Sequence, residues 1–228
     1  MNLAIIDCAI KTQSHNCFNR LSQHFNIPMT YHIPSMTDCH SIKTLKTEPN
    51  LYIIFGSASN VSDNLDWQIE LGQLMKQKLE IGVPVLGICF GHQLMGSIFG
   101  ADIDFVIDSE TIFEGTREVE IIHPFCSFKR GEKLNLIISH YQEIKTLPND
   151  FTHLATSKDC KYDIISHKEY PLISLQGHPE ASQFFCDTTL KEKFPQETIN
   201  KGLIGGITFL ENVINSIKVN QKNFHKKL

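Results

Sequence analysis

The most reactive arrangement in the chain is a cysteine with a glycine two residues away on either side, in "VPVLGICFGHQLMGSIFG" (Val83 to Gly100). An apolar run ends at Ile88, and Leu94, Met95, Ile98 and Phe99 then recur on one helical face up to Gly100, a natural helix stop. A strand that reverses into a helix within so few residues strains the residue between them and projects its side chain off the end of the strand. Gly87 and Gly91 leave room for that bend, because a Cβ at either site would collide with neighbouring backbone. Cys89 then stands at a helix N-terminus, where unpaired N–H groups favour its thiolate. The Phe90 N–H points at the oxygen of any carbonyl the sulfur attacks, which supplies half an oxyanion hole. The alternative is a buried cysteine that ends a strand, with glycines serving close packing.

A nucleophile of this kind needs a base, and "SLQGHPEAS" (Ser174 to Ser182) offers one. A residue before proline is pushed to extended backbone, so His178 is held off helical geometry. Residues two apart on extended backbone project to the same side. Glu180 is then placed to accept from one imidazole nitrogen while the other faces the thiol: nucleophile, base and orienter. By itself the segment also reads as a surface turn.

These groups require strands to carry them. "LAIID" (Leu3 to Asp7), "MTYHI" (Met29 to Ile33), "LYIIF" (Leu51 to Phe55) and "PVLGI" (Pro84 to Ile88) are short continuous apolar runs, as in parallel strands covered on both faces. Between them, Ser14 to Phe25 and Asp66 to Leu79 carry helical spacing, the latter through Trp67, Leu71, Leu74, Met75 and Leu79. After Gly100, "REVEII" and "LNLIIS" with intervening turn residues predict a smaller portion of mixed or antiparallel strands. "PLISLQ" returns to a core-strand pattern, and Leu203 to Ile217 predicts a final helix with Ile204, Ile207, Leu210, Val213 and Ile217 on one face. The last eleven residues carry four lysines and read as a solvated, frayed end. The expected fold is α/β, an open, mostly parallel sheet flanked by helices. Residues 1–228 read as a single domain with its core over about 3–181.

Composition narrows the class. A net charge of −4 gives no electrostatic reason to expect nucleic acid or an anionic membrane. No apolar run approaches the roughly 18 residues of a membrane span, and the N-terminus lacks a signal-peptide pattern. Seven irregularly spaced cysteines without a C-x-x-C pair predict free thiols in a reducing, cytoplasmic setting. None of the eleven histidines pairs with another ligand at zinc-site spacing, so no metal is expected.

"GICFGHQ" and "GHPE", whose Cys89 and His178 lie 89 positions apart, resemble together the signatures of the class I (triad-type) glutamine amidotransferases. The resemblance runs over about Leu3 to Ala181. It implies a cysteine that attacks the side-chain amide of glutamine, a γ-glutamyl thioester, release of ammonia, and hydrolysis to glutamate, with no cofactor. Cys89 matches the nucleophile, His178 the base and Glu180 the orienting acid. Gln93 matches a position that holds the amino-acid end of the substrate. "SHYQEIKTLP" resembles a loop whose Ser139, His140 and Tyr141 line the same pocket, with His140 open to a reading as a second base. "FGSASNVSD" follows the third strand, where the family supplies its second oxyanion donor; Gly56-Ser57 stands here where most members carry paired glycines.

Gly177 precedes the histidine where biosynthetic members place a large residue. "QGHPE" is in this respect similar to a stand-alone branch that includes γ-glutamyl peptidases, and the glycine is expected to open the pocket to a larger substrate. No G-x-x-x-x-G-K loop is present for a nucleotide, so an ammonia acceptor would be bound by a separate synthetase polypeptide. Three readings remain: a glutaminase-type amidotransferase, a γ-glutamyl peptidase, and a silent relative with a binding or regulatory role.

Overall fold

The computed structural model describes residues 1–108 and 111–225. In chain order the elements are β1 (Leu3–Ile6), α1 (His15–His24), β2 (Met29–His32), α2 (Pro34–Thr37), α3 (His40–Lys43), β3 (Leu51–Ile54), α4 (Asp66–Glu80), β4 (Val85–Ile88) and α5 (Phe90–Ile98). There follow β5 (Asp102–Phe105), β6 (Phe113–Ile121), β7 (Lys133–His140), β8 (Gln142–Thr146), β9 (Phe151–Thr156), β10 (Ile164–His167), β11 (Leu172–Leu175), α6 (Gln183–Thr189) and α7 (Gln196–His225).

The main sheet has nine strands in the order β2-β1-β3-β4-β11-β10-β9-β6-β7. The first five run parallel, and β10, β9, β6 and β7 extend the sheet antiparallel. The antiparallel strands expected after Gly100 therefore continue the central sheet, while β5 and β8 pair apart from it.

Alternation sorts the continuous apolar runs onto two faces. Leu3, Ile5, Leu51, Ile53, Leu86 and Ile88 pack with Cys17 and Leu21 of α1 and with Phe209, Leu210 and Val213 of α7. Ala4, Ile6, Tyr52, Ile54 and Val85 pack with Trp67, Leu71 and Met75 of α4 and with Leu94 and Met95 of α5. Strands β1, β3 and β4 are buried at every position, which is why they read as unbroken hydrophobic runs. Each such buried Leu or Ile contributes about 2 kcal/mol, so the two layers fix the sheet firmly.

The final helix is longer than its periodicity predicted. It begins at Gln196, just after Pro195, whose carbonyl accepts from the Thr198 and Ile199 N–H groups. Its first turns, "QETINK", are polar apart from the buried Ile199, so the apolar stripe starts one to two turns late. It continues to His225; the last three residues of the lysine-rich end lie outside the described residues.

Register sets up the site. Ile54 of β3 lies beside Gly87 of β4, and Ile88 of β4 beside Leu175 of β11. The segments that leave the carboxyl ends of these three neighbouring parallel strands carry Gly56, Cys89 and His178. That edge is where α/β sheets of this kind hold ligands.

Candidate active site

Cys89 links β4 to α5 with φ 50° and ψ −102°, a backbone conformation costing about 1–3 kcal/mol for a residue with a Cβ. The surroundings over-determine it. Its N–H donates to the Leu175 carbonyl at 2.9 Å, and its carbonyl accepts from Gln93 N–H at 3.0 Å, opening α5. A Cβ at Gly87 would stand 2.6 Å from the Gly91 oxygen, and one at Gly91 would stand 2.6 Å from the Ile54 oxygen. Both glycines are therefore needed where β3, β4 and α5 meet.

His178 follows the end of β11 with Gln176 and Gly177 between. Its backbone N–H donates to the Ile137 carbonyl of β7 at 2.7 Å, and its ring packs on Phe185. Nδ1 lies 2.9 Å from Glu180 Oε1. Expected from extended alternation, this contact arises from a turn: the Ala181 N–H closes back on the His178 carbonyl at 3.3 Å with Pro179 and Glu180 between. Proline suits the second position of such a turn, and the reversal folds Glu180 back over the ring. Arg20 of α1 holds the turn, donating to the Pro179 carbonyl at 3.4 Å, to the Ala181 carbonyl, and to Leu203 of α7 at 2.6 Å.

Cys89 Sγ and His178 Nε2 converge on one acceptor, the Ser139 carbonyl, at 3.7 and 3.4 Å. With Glu180 at one ring nitrogen and a carbonyl at the other, His178 faces an acceptor at each and suits the imidazolium form. Burial alone would push its pKa down. The charges of Cys89 and Glu180, and hydrogen bonds with both, outweigh burial and hold it well above the ordinary histidine value.

All ten residues singled out in the sequence, Gly56, Ser57, Cys89, Phe90, Gln93, Ser139, His140, Tyr141, His178 and Glu180, line one cavity of about 550 Å³. Their parts differ from expectation in places. Ser139 meets the sulfur through its backbone carbonyl. His140 Nε2 accepts from the buried Arg117 guanidinium, and its Nδ1–H donates to the Gln142 carbonyl at 3.0 Å. Burial and the Arg117 charge push its pKa well below the usual value. A neutral ring with both nitrogens engaged is not a second base. Tyr141 accepts at its hydroxyl from Lys191 at 3.2 Å.

The Gly56-Ser57 loop is compact. Ser57 Oγ lies 3.0 Å from Ser59 Oγ and accepts from the Ser59 N–H at 3.1 Å. Left-handed φ at non-glycine residues is confined, among the described residues, to Asp38, Asn64, Cys89 and Cys126, so Ser57 fits without strain. Gly177 does not widen the cavity. A Cβ there would meet Leu136 Cβ at 2.9 Å and the Ile137 oxygen at 3.2 Å, so the glycine serves the close approach of β7.

Three residues escaped the sequence reading. Gln176, fully buried, donates from its side chain to Cys89 Sγ at 3.7 Å, yet in sequence it ends an ordinary strand pattern. Arg20 is the one charge in a segment read for its helical spacing, and Arg117 is one of three charges in an alternating strand pattern, so neither stood out. Among the described residues no group of His, Cys, Asp and Glu is arranged to hold a metal, and no helix is long and apolar enough to cross a membrane.

Residues 4–194 match the family "Glutamine amidotransferase class-I". One subunit of the glutamine-hydrolyzing GMP synthase of Pyrococcus furiosus is 32% identical over 151 residues, 66% of this chain and 75% of its own length. Its counterpart from Methanobrevibacter smithii is 28% identical over 185 residues, 81% of this chain and 90% of that protein. Among solved structures, a glutamine amidotransferase from Thermotoga maritima shares the fold with a TM-score of 0.70 at 17% identity, over 95% of this chain and 96% of that one.

Proposed function

The chain belongs to the class-I glutamine amidotransferases, and on that premise we propose that it hydrolyses the side-chain amide of glutamine through a thioester on Cys89. The observation that carries this reading is the convergence of the Cys89 sulfur and the Glu180-paired His178 on the Ser139 carbonyl, at the wall of an open cavity.

The sulfur gives its proton to His178 Nε2, while Glu180 holds the Nδ1–H and balances the imidazolium charge. The thiolate attacks the amide carbon. The Phe90 N–H and an amide of the Gly56-Ser57 loop take the developing oxyanion. Collapse breaks the C–N bond, and ammonia leaves with the proton from His178. Neutral His178 then removes a proton from water, hydroxide adds to the thioester, and glutamate departs as the thiol is restored.

The two archaeal relatives are named as subunits of a glutamine-hydrolyzing GMP synthase, which supports delivery of the ammonia to a separate synthetase polypeptide. The peptidase branch loses its main support, since Gly177 packs against β7 away from the cavity. We read residues 1–228 as one domain, because α7 packs on β6 and β7 of the main sheet. The free thiols favour a cytoplasmic protein, and a net charge of −4 gives no pull toward nucleic acid.

The test is ammonia release from glutamine, with and without candidate synthetase polypeptides, beside amine release from a γ-glutamyl dipeptide. Glutamine turnover that rises with a synthetase is expected. Turnover of the dipeptide alone favours the peptidase, and Cys89 inert to a γ-glutamyl electrophile favours a silent binding protein; either outcome overturns the proposal.

A further inference from the structure

Gln176 faces the nucleophile from the end of β11, and its neighbours fix which end of its amide does so. The Gln142 carbonyl can only accept, so the end of Gln93 that lies 2.6 Å from it is the NH₂ group. That same nitrogen lies 3.2 Å from Gln176, whose facing atom must then be the oxygen. The opposite end of Gln176, its NH₂, therefore meets Cys89 Sγ at 3.7 Å. A second chain of bonds secures the same carbonyl. Arg117, paired with Asp163 at 3.5 Å, donates to His140 Nε2, and His140 Nδ1–H donates to the Gln142 oxygen. Gln93, Gln142, Gln176, Arg117, His140 and Asp163 are all buried, so water does not compete for these bonds.

We propose that Gln176 is a further catalytic residue, whose side-chain N–H, aimed by Gln93, donates to the Cys89 sulfur. The proposal rests on the reading of Cys89 as the nucleophile. In the thiol state the sulfur donates to the Ser139 carbonyl and accepts from Gln176. When its proton passes to His178 Nε2, the Ser139 oxygen receives that proton's hydrogen bond from the ring instead. The sulfur, now an anion, keeps Gln176, and this bond becomes charge-assisted and stronger. The same donor meets the sulfur again when it leaves the tetrahedral intermediate of thioester hydrolysis. Gln93 thereby has a role beyond the substrate: both of its amide hydrogens are spent on protein acceptors, leaving only its oxygen for a ligand.

The test measures alkylation of Cys89 by iodoacetamide at neutral pH, read on the Cys89 peptide by mass spectrometry, in the full chain and in Gln176→Met and Gln176→Glu. Both variants keep the length of the side chain and remove the N–H aimed at sulfur. Alkylation is expected to slow roughly ten- to a hundredfold, the range for a lost donor to a charged group. The kcat for glutamine should fall in parallel, with KM within about twofold. Unchanged alkylation in a variant with native circular dichroism overturns the proposal. So does loss of the native fold in both variants, which would make the residue structural. Because iodoacetamide reads the sulfur without substrate, a native protein that alkylates at Cys89 but releases no ammonia refutes the proposed substrate and leaves this inference intact.

Discussion

Gly56 and His178 meet so closely that a Cβ on Gly56 would stand 2.8 Å from Cε1 of the imidazole. The base is thus seated against bare backbone at the end of β3, with Cys89 Cβ 3.6 Å from the same point. Gly56→Ala must displace the ring, and a misplacement of that order costs roughly a hundredfold in rate. Glutaminase assays are expected to show this loss in kcat while the urea midpoint changes little. A variant with the native kcat would show that the ring position does not matter.

Cys89→Ala removes the covalent step and should abolish turnover with the fold retained, as judged by circular dichroism. Glu180→Gln keeps the sulfur but removes the carboxylate opposite His178 Nδ1. Its rate should fall by about 10²- to 10⁴-fold and stay above that of Cys89→Ala. Equal losses in the two variants would mean that Glu180 does more than orient and balance the ring.

The glycines of the elbow act on stability. Gly87→Ala drives a methyl group to 2.6 Å from the Gly91 oxygen and 2.7 Å from its carbonyl carbon, and neither atom can move without shifting α5. A loss of about 3 kcal/mol is expected. Urea unfolding measures it, and a midpoint equal to that of the native chain would refute the packing argument.

Buried histidines set the pH dependence of stability in opposite senses. His92, bonded to Ser174 Oγ at 2.8 Å, is pushed down to about 3 by burial, with a backbone hydrogen bond at Tyr162 opposing and the Arg117 charge adding. The unfolded chain binds its proton near pH 6.5, so the contribution is present above that value and drains as pH falls toward about 3. At pH 5 the loss is about 2 kcal/mol, from roughly 1.5 pH units at about 1.4 kcal/mol each. His178 runs the other way. Its raised pKa gives stability that is complete below the unfolded value and is lost as pH rises through the folded one. Urea midpoints across pH should therefore fall on acidification, with the His92 ring resonances by NMR not titrating between about pH 7 and 5. A His92 titration in that range would contradict the assignment.

Much of this architecture was legible in the residues. The runs at Leu3, Leu51 and Val85 announced strands covered on both faces, because a central parallel strand has no solvent side to write in polar residues. Short helices such as Pro34–Thr37 and the strands Asp102–Phe105 and Gln142–Thr146 left little periodicity to read. The start of α7 was hidden by a polar first turn. The antiparallel strands were recognised in kind, but their membership of the main sheet was not, since pairing between β9 and β10 or β6 and β7 is a relation between separate segments.

What the sequence determined alone was local: a cysteine between two obligatory glycines at a strand–helix junction, and a histidine with its carboxylate partner two residues on, although the turn that joins them was read as extended backbone. Short-range sterics fix both, so residue types and spacing were enough. What only the tertiary structure decided was which groups surround the sulfur. The register of β3, β4 and β11 brings Gly56, Cys89 and His178 to one edge. The buried amides of Gln93 and Gln176, the Ser139 carbonyl and the Arg117–His140 pair then close around it. Hydrogen bonds between groups tens of residues apart depend on the packed sheet, and a pattern along the chain carries no record of them.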